Sequence, residues 1–408
     1  MLRLLKRPNF ARYWVSASSA LLGSNVSGFV LPTIAVAQLN ATAAQLAIIA
    51  TVQALAFPLL GMFAATAVER RDKHSIIVVT DIVRALAMGL LAGLFLMHRL
   101  SVNAIILVSA VVAFVSVFRD VCTQSLLPSL LRGANISKGN AALEVSNTAA
   151  LSAGPALGGI LTSTVGAPIA LVVDSLAYLA AATAVSGVKV TPRDSAAIRR
   201  SFWNDLREGL AWVFKAPKLA RIAGCTATIN FAAAASQTVS LIFFYRVLHV
   251  SPLVLGLLLA TSNAGIIGAW LAPQLEKRLG LISALGIAVG LWTIGRFLLP
   301  LAAVLPFPLM VAGLSSLIAN LAAPLYNVTQ SSYRQRATPL PLQARMHATM
   351  RTLNSSTIPI GAAFGGILAT AFGVTITLTI CALITAGSYI WLAVPNRERL
   401  AERTRAAA

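Results

Sequence analysis

Apolar runs of about twenty residues, separated by short polar turns, fill this chain from residue 12 to residue 395. A run of roughly that length crosses a hydrocarbon core of about 30 Å. Twelve are found, near 12–38, 44–68, 75–97, 102–130, 140–165, 167–189, 222–246, 252–275, 281–303, 306–333, 346–371 and 373–395. Backbone polar groups in lipid need partners within their own segment, so each run is predicted to be a helix. The polar positions are as telling as the apolar ones. Between the second and third runs they condense into a knot, Glu69, Arg70, Arg71, Asp72, Lys73 and His74, the pattern of a tight turn held at the water interface.

The pattern also repeats at a fixed offset of 207 residues. Gly61 and the acid–base–base run Glu69–Arg70–Arg71 are echoed by Gly268 and Glu276–Lys277–Arg278. Gly154, Pro155, Gly158 and Gly159 fall in a segment matched by Gly361, Gly365 and Gly366; Gly166 falls on Gly373, and Asn147 on Asn354. Two landmarks that share one offset point to tandem halves. The expected organisation is a six-helix bundle over 1–189, a cytoplasmic linker over 190–220, and a second six-helix bundle with a tail over 221–408. Within the linker, Phe202, Leu206, Leu210 and Val213 share one helical face opposite Arg207 and Lys215, which predicts an amphipathic helix on the membrane surface.

Composition agrees with a polytopic membrane protein: 57% of residues are hydrophobic and 11% charged, against about 25% charged in soluble domains. Mean hydropathy is +0.80. The net charge of +20 would suggest nucleic acid in a soluble chain, but here the bases sit in short loops between apolar runs. Their distribution orients the chain. With the N-terminus inside, 26 Lys and Arg face the cytoplasm and two, Arg99 and Arg246, face outward. This bias predicts cytoplasmic termini. The basic start, through Trp14, leads straight into the first run and is expected to be retained. The cysteines Cys122, Cys225 and Cys381 are far apart and lack metal spacing, and the four histidines are isolated, so neither a metal site nor a catalytic triad is expected. No phosphate-loop motif is present, which argues against ATP drive, and no cofactor is expected.

Charged groups within spans are costly and mark function by default. Four acids qualify: Asp81, Asp120, Glu144 and Asp174. Asp81 precedes Arg84 by three residues and has a ready partner on its own helix face. Asp120 follows Arg119, and adjacent positions diverge on a helix, so the two need different partners. Glu144 is open to two readings, proton coupling or an ion pair with Arg119. A carboxyl in a low-dielectric cavity holds its proton to higher pH, which makes Asp120, Glu144 and Asp174 the proton-coupling candidates. The second half has no acid in its spans, only Arg296 and Arg351. Such a cavity suits an anionic or neutral substrate better than a cation. Neutral side chains, Asn25, Gln53, Asn230, Gln237, Asn263, Asn327, Gln330 and Asn354, join Arg119, Arg296 and Arg351 as cavity candidates. The glycine clusters with Pro155 are expected at close helix contacts.

Two six-span halves, a basic central loop and the knot after span two resemble the major facilitator superfamily. Its loop pattern appears in softened form, with Ala65 for a glycine and Glu69 for an aspartate, followed by Asp81 and Arg84. The first half is also similar to enterobactin-exporter-like and macrolide-efflux-like permeases, through Asn9-Phe10-Ala11-Arg12-Tyr13-Trp14, Leu126-Leu127-Pro128, Asn140-Ala141-Ala142-Leu143, Gly154 to Gly159, and Asp174. The resemblance implies a multi-pass secondary transporter of the bacterial inner membrane that works by alternating access. It further implies proton-coupled export of a small amphiphilic compound by a monomer in contact with lipids; uptake of a solute and lipid flipping are the alternatives. The knots Glu69, Arg70, Lys73, Asp81, Arg84 and Glu276, Lys277, Arg278 are then expected to clamp the cytoplasmic ends.

Overall fold

A computed structural model describes residues 4, 6–69, 72–131, 134–188, 211, 214–260 and 265–393. Every regular element among them is helical. In chain order these are α1 Pro8–Ala37, α2 Ala43–Glu69, α3 Lys73–Leu96, α4 Val102–Leu130, α5 Ala134–Thr164, α6 Ala167–Ser186, α7 Pro217–Ile242 with a π-helical turn Phe243–Val247, α8 Pro252–Leu259, α9 Gly265–Leu279, α10 Leu281–Leu301, α11 Pro308–Ala337, α12 Leu340–Phe372, α13 Val374–Gly387 and α14 Tyr389–Ala393.

Ten of the twelve expected spans appear among the described residues as helices long and apolar enough to cross a bilayer. The other two are α5 and the α8–α9 pair. The first turns of α5 carry Asn135, Ser137, Lys138 and Asn140, which lower its apolar content. The eighth run is divided, with 261–264 outside the described residues. The expected surface helix of the linker also lies almost wholly outside them.

The 207-residue offset reappears in the packing. In the first copy α5 packs on α1, and a Cβ placed on Gly154 would stand 2.8 Å from the backbone carbon of Asn25. In the second copy α12 packs on α7, and a Cβ on Gly361 would stand 3.1 Å from Phe231 Cα. Only a hydrogen at these positions lets the backbones touch, which is how helices associate in lipid where water provides no apolar drive. Gly166 and Gly373 hold φ of +88° and +82° and each opens the following helix. Both sit in the region that side chains with a Cβ avoid.

The two copies meet along two seams, α2 against α12 and α5 against α8. Gly159 and Gly256 touch on the second, and Gly366 touches Ala47 on the first. Near the same end of the bundle the Thr33 and Tyr245 hydroxyls share a hydrogen bond of 3.1 Å, and Arg246 donates to the Ala41 carbonyl at 2.8 Å. That end, where α1 finishes and α2 begins, is closed. At the opposite end Asp72 caps α3 by accepting from the Ser75 hydroxyl at 2.7 Å and from the backbone N–H of Ser75 and His74. These bonds hold its carboxyl below the usual carboxylate range. The His74 ring bonds to the Val185 carbonyl at 2.7 Å, tying α3 to the end of α6.

Candidate functional site

Between the seams lies a cavity of about 870 Å³. Its walls come from α1, α2 and α5 on one side and from α7, α8, α11 and α12 on the other. Among the described residues the polar lining is neutral: Ser24, Asn25, Gln53, Gln237, Thr238, Ser240 and Asn320. The rest is aliphatic or aromatic, including Phe29, Leu46, Phe244 and Ile358. Of the expected cavity residues, Asn25, Gln53 and Gln237 line it. Asn230 and Asn327 lie elsewhere on α7 and α11, and Gln330 is buried, donating to Asn327 at 3.4 Å. The side chains of Arg351 and Asn354, and all of Asn263, lie outside the described residues. Asn320, Thr238 and Ser240 had the same signal, a polar side chain within an apolar run, and complete the lining.

The charged groups gather beside the cavity, inside the bundle of α1, α3, α4 and α6. Asp81 is fully buried and accepts from Arg119 at 2.6 Å and from Arg84 at 3.4 Å. Arg119 also donates to the Ser16 carbonyl at 3.2 Å. It therefore pairs across α3 and α4 and does not line the cavity. Arg84 reaches the other way, donating to the Ser24 hydroxyl at 2.5 Å and to the Tyr178 hydroxyl at 2.9 Å, with its guanidinium 4.0 Å from the Tyr178 ring centre. Tyr178 lies one helical turn after Asp174, and that spacing was the signal that could have nominated it. Asp174 is buried against Gly23 and close to Ser27, and neither of its oxygens has a hydrogen-bond partner. Two carboxylates and two guanidiniums thus form one buried group. Ser24 belongs both to that group and to the cavity wall.

The other candidates are placed differently. Asp120 and Glu144 are exposed on α4 and α5, and the Arg119 partner is Asp81 in place of Glu144. Arg296 is half-buried on α10, close to Cys381. By the repeat offset, Cys381 occupies the place of Asp174 and Tyr326 that of Arg119, where Tyr326 shares a 2.9 Å hydrogen bond with Thr226. The ionic group of the first copy has a neutral counterpart in the second. Of the knots, Glu276 pairs with Arg336, joining α9 to α11, while Lys277 and Arg278 are exposed. Lys73 is half-buried at the start of α3; the Glu69 side chain and Arg70 lie outside the described residues.

Comparison with known proteins agrees with this architecture. The family described as transmembrane secretion effectors, within the major facilitator superfamily, matches residues 2–407. The chain belongs to that family. A multidrug efflux pump, Tap of Mycolicibacterium fortuitum, is 24% identical over 380 residues, covering 89% of each chain. A solved bacterial homologue of the human lysosomal transporter Spinster, in an inward-facing conformation, superimposes with a TM-score of 0.75 at 14% identity, over 94% of this chain and 95% of that one. A bacterial homologue of the iron transporter ferroportin, in an inward-facing state, gives 0.74 at 15% identity, over 94% and 98%. The protein is thus a multi-pass membrane transporter with the major facilitator fold, and its substrate is a small molecule.

Proposed function

We propose that this transporter exports a small, uncharged amphiphile in exchange for protons. One observation carries the reading: a cavity whose polar lining is neutral among the described residues abuts, through Ser24, a buried group that contains an acid without hydrogen-bond partners. A permanent cation would enter such a cavity with no counter-charge, and the desolvation would oppose it. Among the described residues this lining narrows the sequence expectation, since Arg296 is not part of it.

Asp174 is the proton carrier in this reading. When it is protonated, Arg84 is free to hold Ser24 and Tyr178, as in the present arrangement. When it is ionised, Arg84 is the nearest cation and is drawn toward it, releasing the Ser24 hydroxyl to the cavity. Proton and substrate then compete through one guanidinium. Six-helix halves over 1–189 and 221–408, joined by 190–220, rock about the cavity to expose it in turn. With cytoplasmic termini in the bacterial inner membrane, the closed end is outside, and the conformation is open to the cytoplasm. The protein works as a monomer surrounded by lipid. The Glu276–Arg336 pair holds two inner helix ends together, and the knot after α2 serves the opposite state.

The test is transport by everted membrane vesicles under an imposed proton gradient, with macrolides, catechol siderophores, tetraphenylphosphonium and the uncharged dye Nile red added separately. Gradient-dependent movement of uncharged amphiphiles, absent from vesicles carrying Asp174→Asn, supports the reading. Movement of tetraphenylphosphonium alone, or movement indifferent to the gradient, would overturn it.

A further inference from the structure

A second hollow of about 590 Å³ lies between α2 and α12 on the outer flank of the bundle. Its walls are Leu55, Pro58, Pro359, Ile360, Phe364 and Ile367, with Thr51, Ser356 and Ala363 between them. At about 1.5 Å per residue it spans roughly 7 to 24 Å from the ends of its helices. That centres it in a bilayer core of about 30 Å. At its floor Phe364 packs against Phe231 of α7, ring centres 5.1 Å apart and planes tilted by 43°.

The helical period shows what this hollow adjoins. On α2, Thr51, Leu55 and Pro58 face the cleft, while Leu46, Ala50, Gln53 and Ala54 face the central cavity. On α12, Ser356, Ile360, Ala363 and Ile367 face the cleft, while Ile358 and Ala362 face the cavity. Each helix therefore presents adjacent stripes to two hollows at one depth, and the wall between them is one seam. That seam carries small residues, Ala47, Ala50 and Ala54 on α2 and Ala362, Ala363 and Gly366 on α12, with Gly366 directly against Ala47. Small side chains do not interdigitate deeply, so the helices can part without withdrawing long side chains. One polar atom stands out. The Thr51 hydroxyl is buried without a hydrogen-bond partner, whereas the Ser356 hydroxyl of the same wall donates to the Thr352 carbonyl at 2.8 Å.

We infer that this cleft is a lateral entrance, which admits a neutral lipophilic substrate from the hydrocarbon core and passes it through the α2–α12 seam to the central cavity. The apolar walls take the body of the molecule, and Thr51 donates to a carbonyl or ether oxygen on it. The inference rests on the proposed export of uncharged amphiphiles, and it adds the route: such a substrate reaches its site without entering water.

The test separates the cleft from the transport reading. Ala363→Cys, in protein whose buried Cys122, Cys225 and Cys381 are replaced by alanine, is labelled with bimane and reconstituted into phosphatidylcholine nanodiscs. Lipid brominated in mid-chain is expected to remove most of the emission, and aqueous iodide is expected to leave it unchanged. In the second arm, vesicles export Nile red, and the cleft-filling variants Leu55→Trp and Ala363→Trp are expected to slow export about tenfold relative to Gly93→Ala, a substitution into open space. Quenching by iodide, or by neither agent, would overturn the entrance. So would bromolipid quenching combined with unaltered Nile red export in both tryptophan variants. If the unmodified protein moves no Nile red, the export reading fails, and the bimane readout still decides whether hydrocarbon reaches the cleft.

Discussion

Replacing Asp81 by leucine tests whether the ionic group holds the first bundle together. Its carboxyl is fully buried and is shared by Arg119 at 2.6 Å and Arg84 at 3.4 Å. Removing one partner of a buried pair leaves a desolvated charge and costs about 3–5 kcal/mol. The size of the loss depends on what each arginine keeps. Arg84 retains Ser24 and Tyr178, whereas Arg119 retains the Ser16 carbonyl at 3.2 Å. Arg119→Met should therefore cost a similar amount, because Asp81 is then left with a 3.4 Å contact alone. The double substitution removes one carboxylate and its paired guanidinium together, so neither Asp81 nor Arg119 is left as an unpaired buried charge. It should cost less than the two single losses together by at least about 2 kcal/mol, the coupling expected of contacting residues. Equilibrium unfolding in mixed detergent micelles, run as a double-mutant cycle, gives all three values. Losses that simply add would refute the pairing.

Other consequences follow from the same contacts. Gly154→Ala and Gly361→Ala place a Cβ against the backbones of Asn25 and Phe231, and each should lower stability by about 1–3 kcal/mol. Gly93→Ala, which meets nothing, should not, and melting of the purified variants compares them. Asp72→Ala removes the α3 cap and should cost about 1 kcal/mol. Because the folded-state pKa of Asp72 is depressed, that contribution is present at neutral pH and is lost as pH falls below the ordinary carboxylate value of about 3.9. The Asp72→Ala penalty should shrink there, as acid unfolding curves will show. Tyr245→Phe removes the hydroxyl bonded to Thr33 across the closed end and should cost that state about 1 kcal/mol. Faster labelling of Ser240→Cys in the cavity by an impermeant thiol reagent added outside would report the opening.

Much of this was written in the chain, and the reason lies in which features are local. Span positions follow from the bilayer width, so α1 to α4, α10 and α11 fall within a few residues of the expected runs, while α12 begins six residues earlier and the last run is divided between α13 and α14. The repeat offset carries geometry as well as sequence, since Gly166 and Gly373 share a backbone conformation and Gly154 and Gly361 share a role. Adjacent Arg119 and Asp120 were expected to diverge, and one points inward while the other is exposed. What could not be read is which way a helix face turns. Glu144 is exposed although it shares a stripe of α5 with the cavity residues Leu151 and Pro155, seven and eleven positions on. The bond from Arg119 to Asp81 spans 38 residues and depends on how α3 meets α4. Tyr178 was overlooked because an aromatic residue in an apolar span reads as packing until the acid one turn earlier is considered with it.

The most direct test of the coupling itself is made in proteoliposomes that enclose a pH-sensitive dye. Nile red is added to purified protein, and the internal pH is followed together with dye movement. The account predicts that adding dye drives protons across the membrane, and that Asp174→Asn, which mimics the protonated carboxyl, abolishes this proton flux and weakens Nile red binding. Proton movement that persists in Asp174→Asn, or dye export with no proton movement in the unmodified protein, would contradict it.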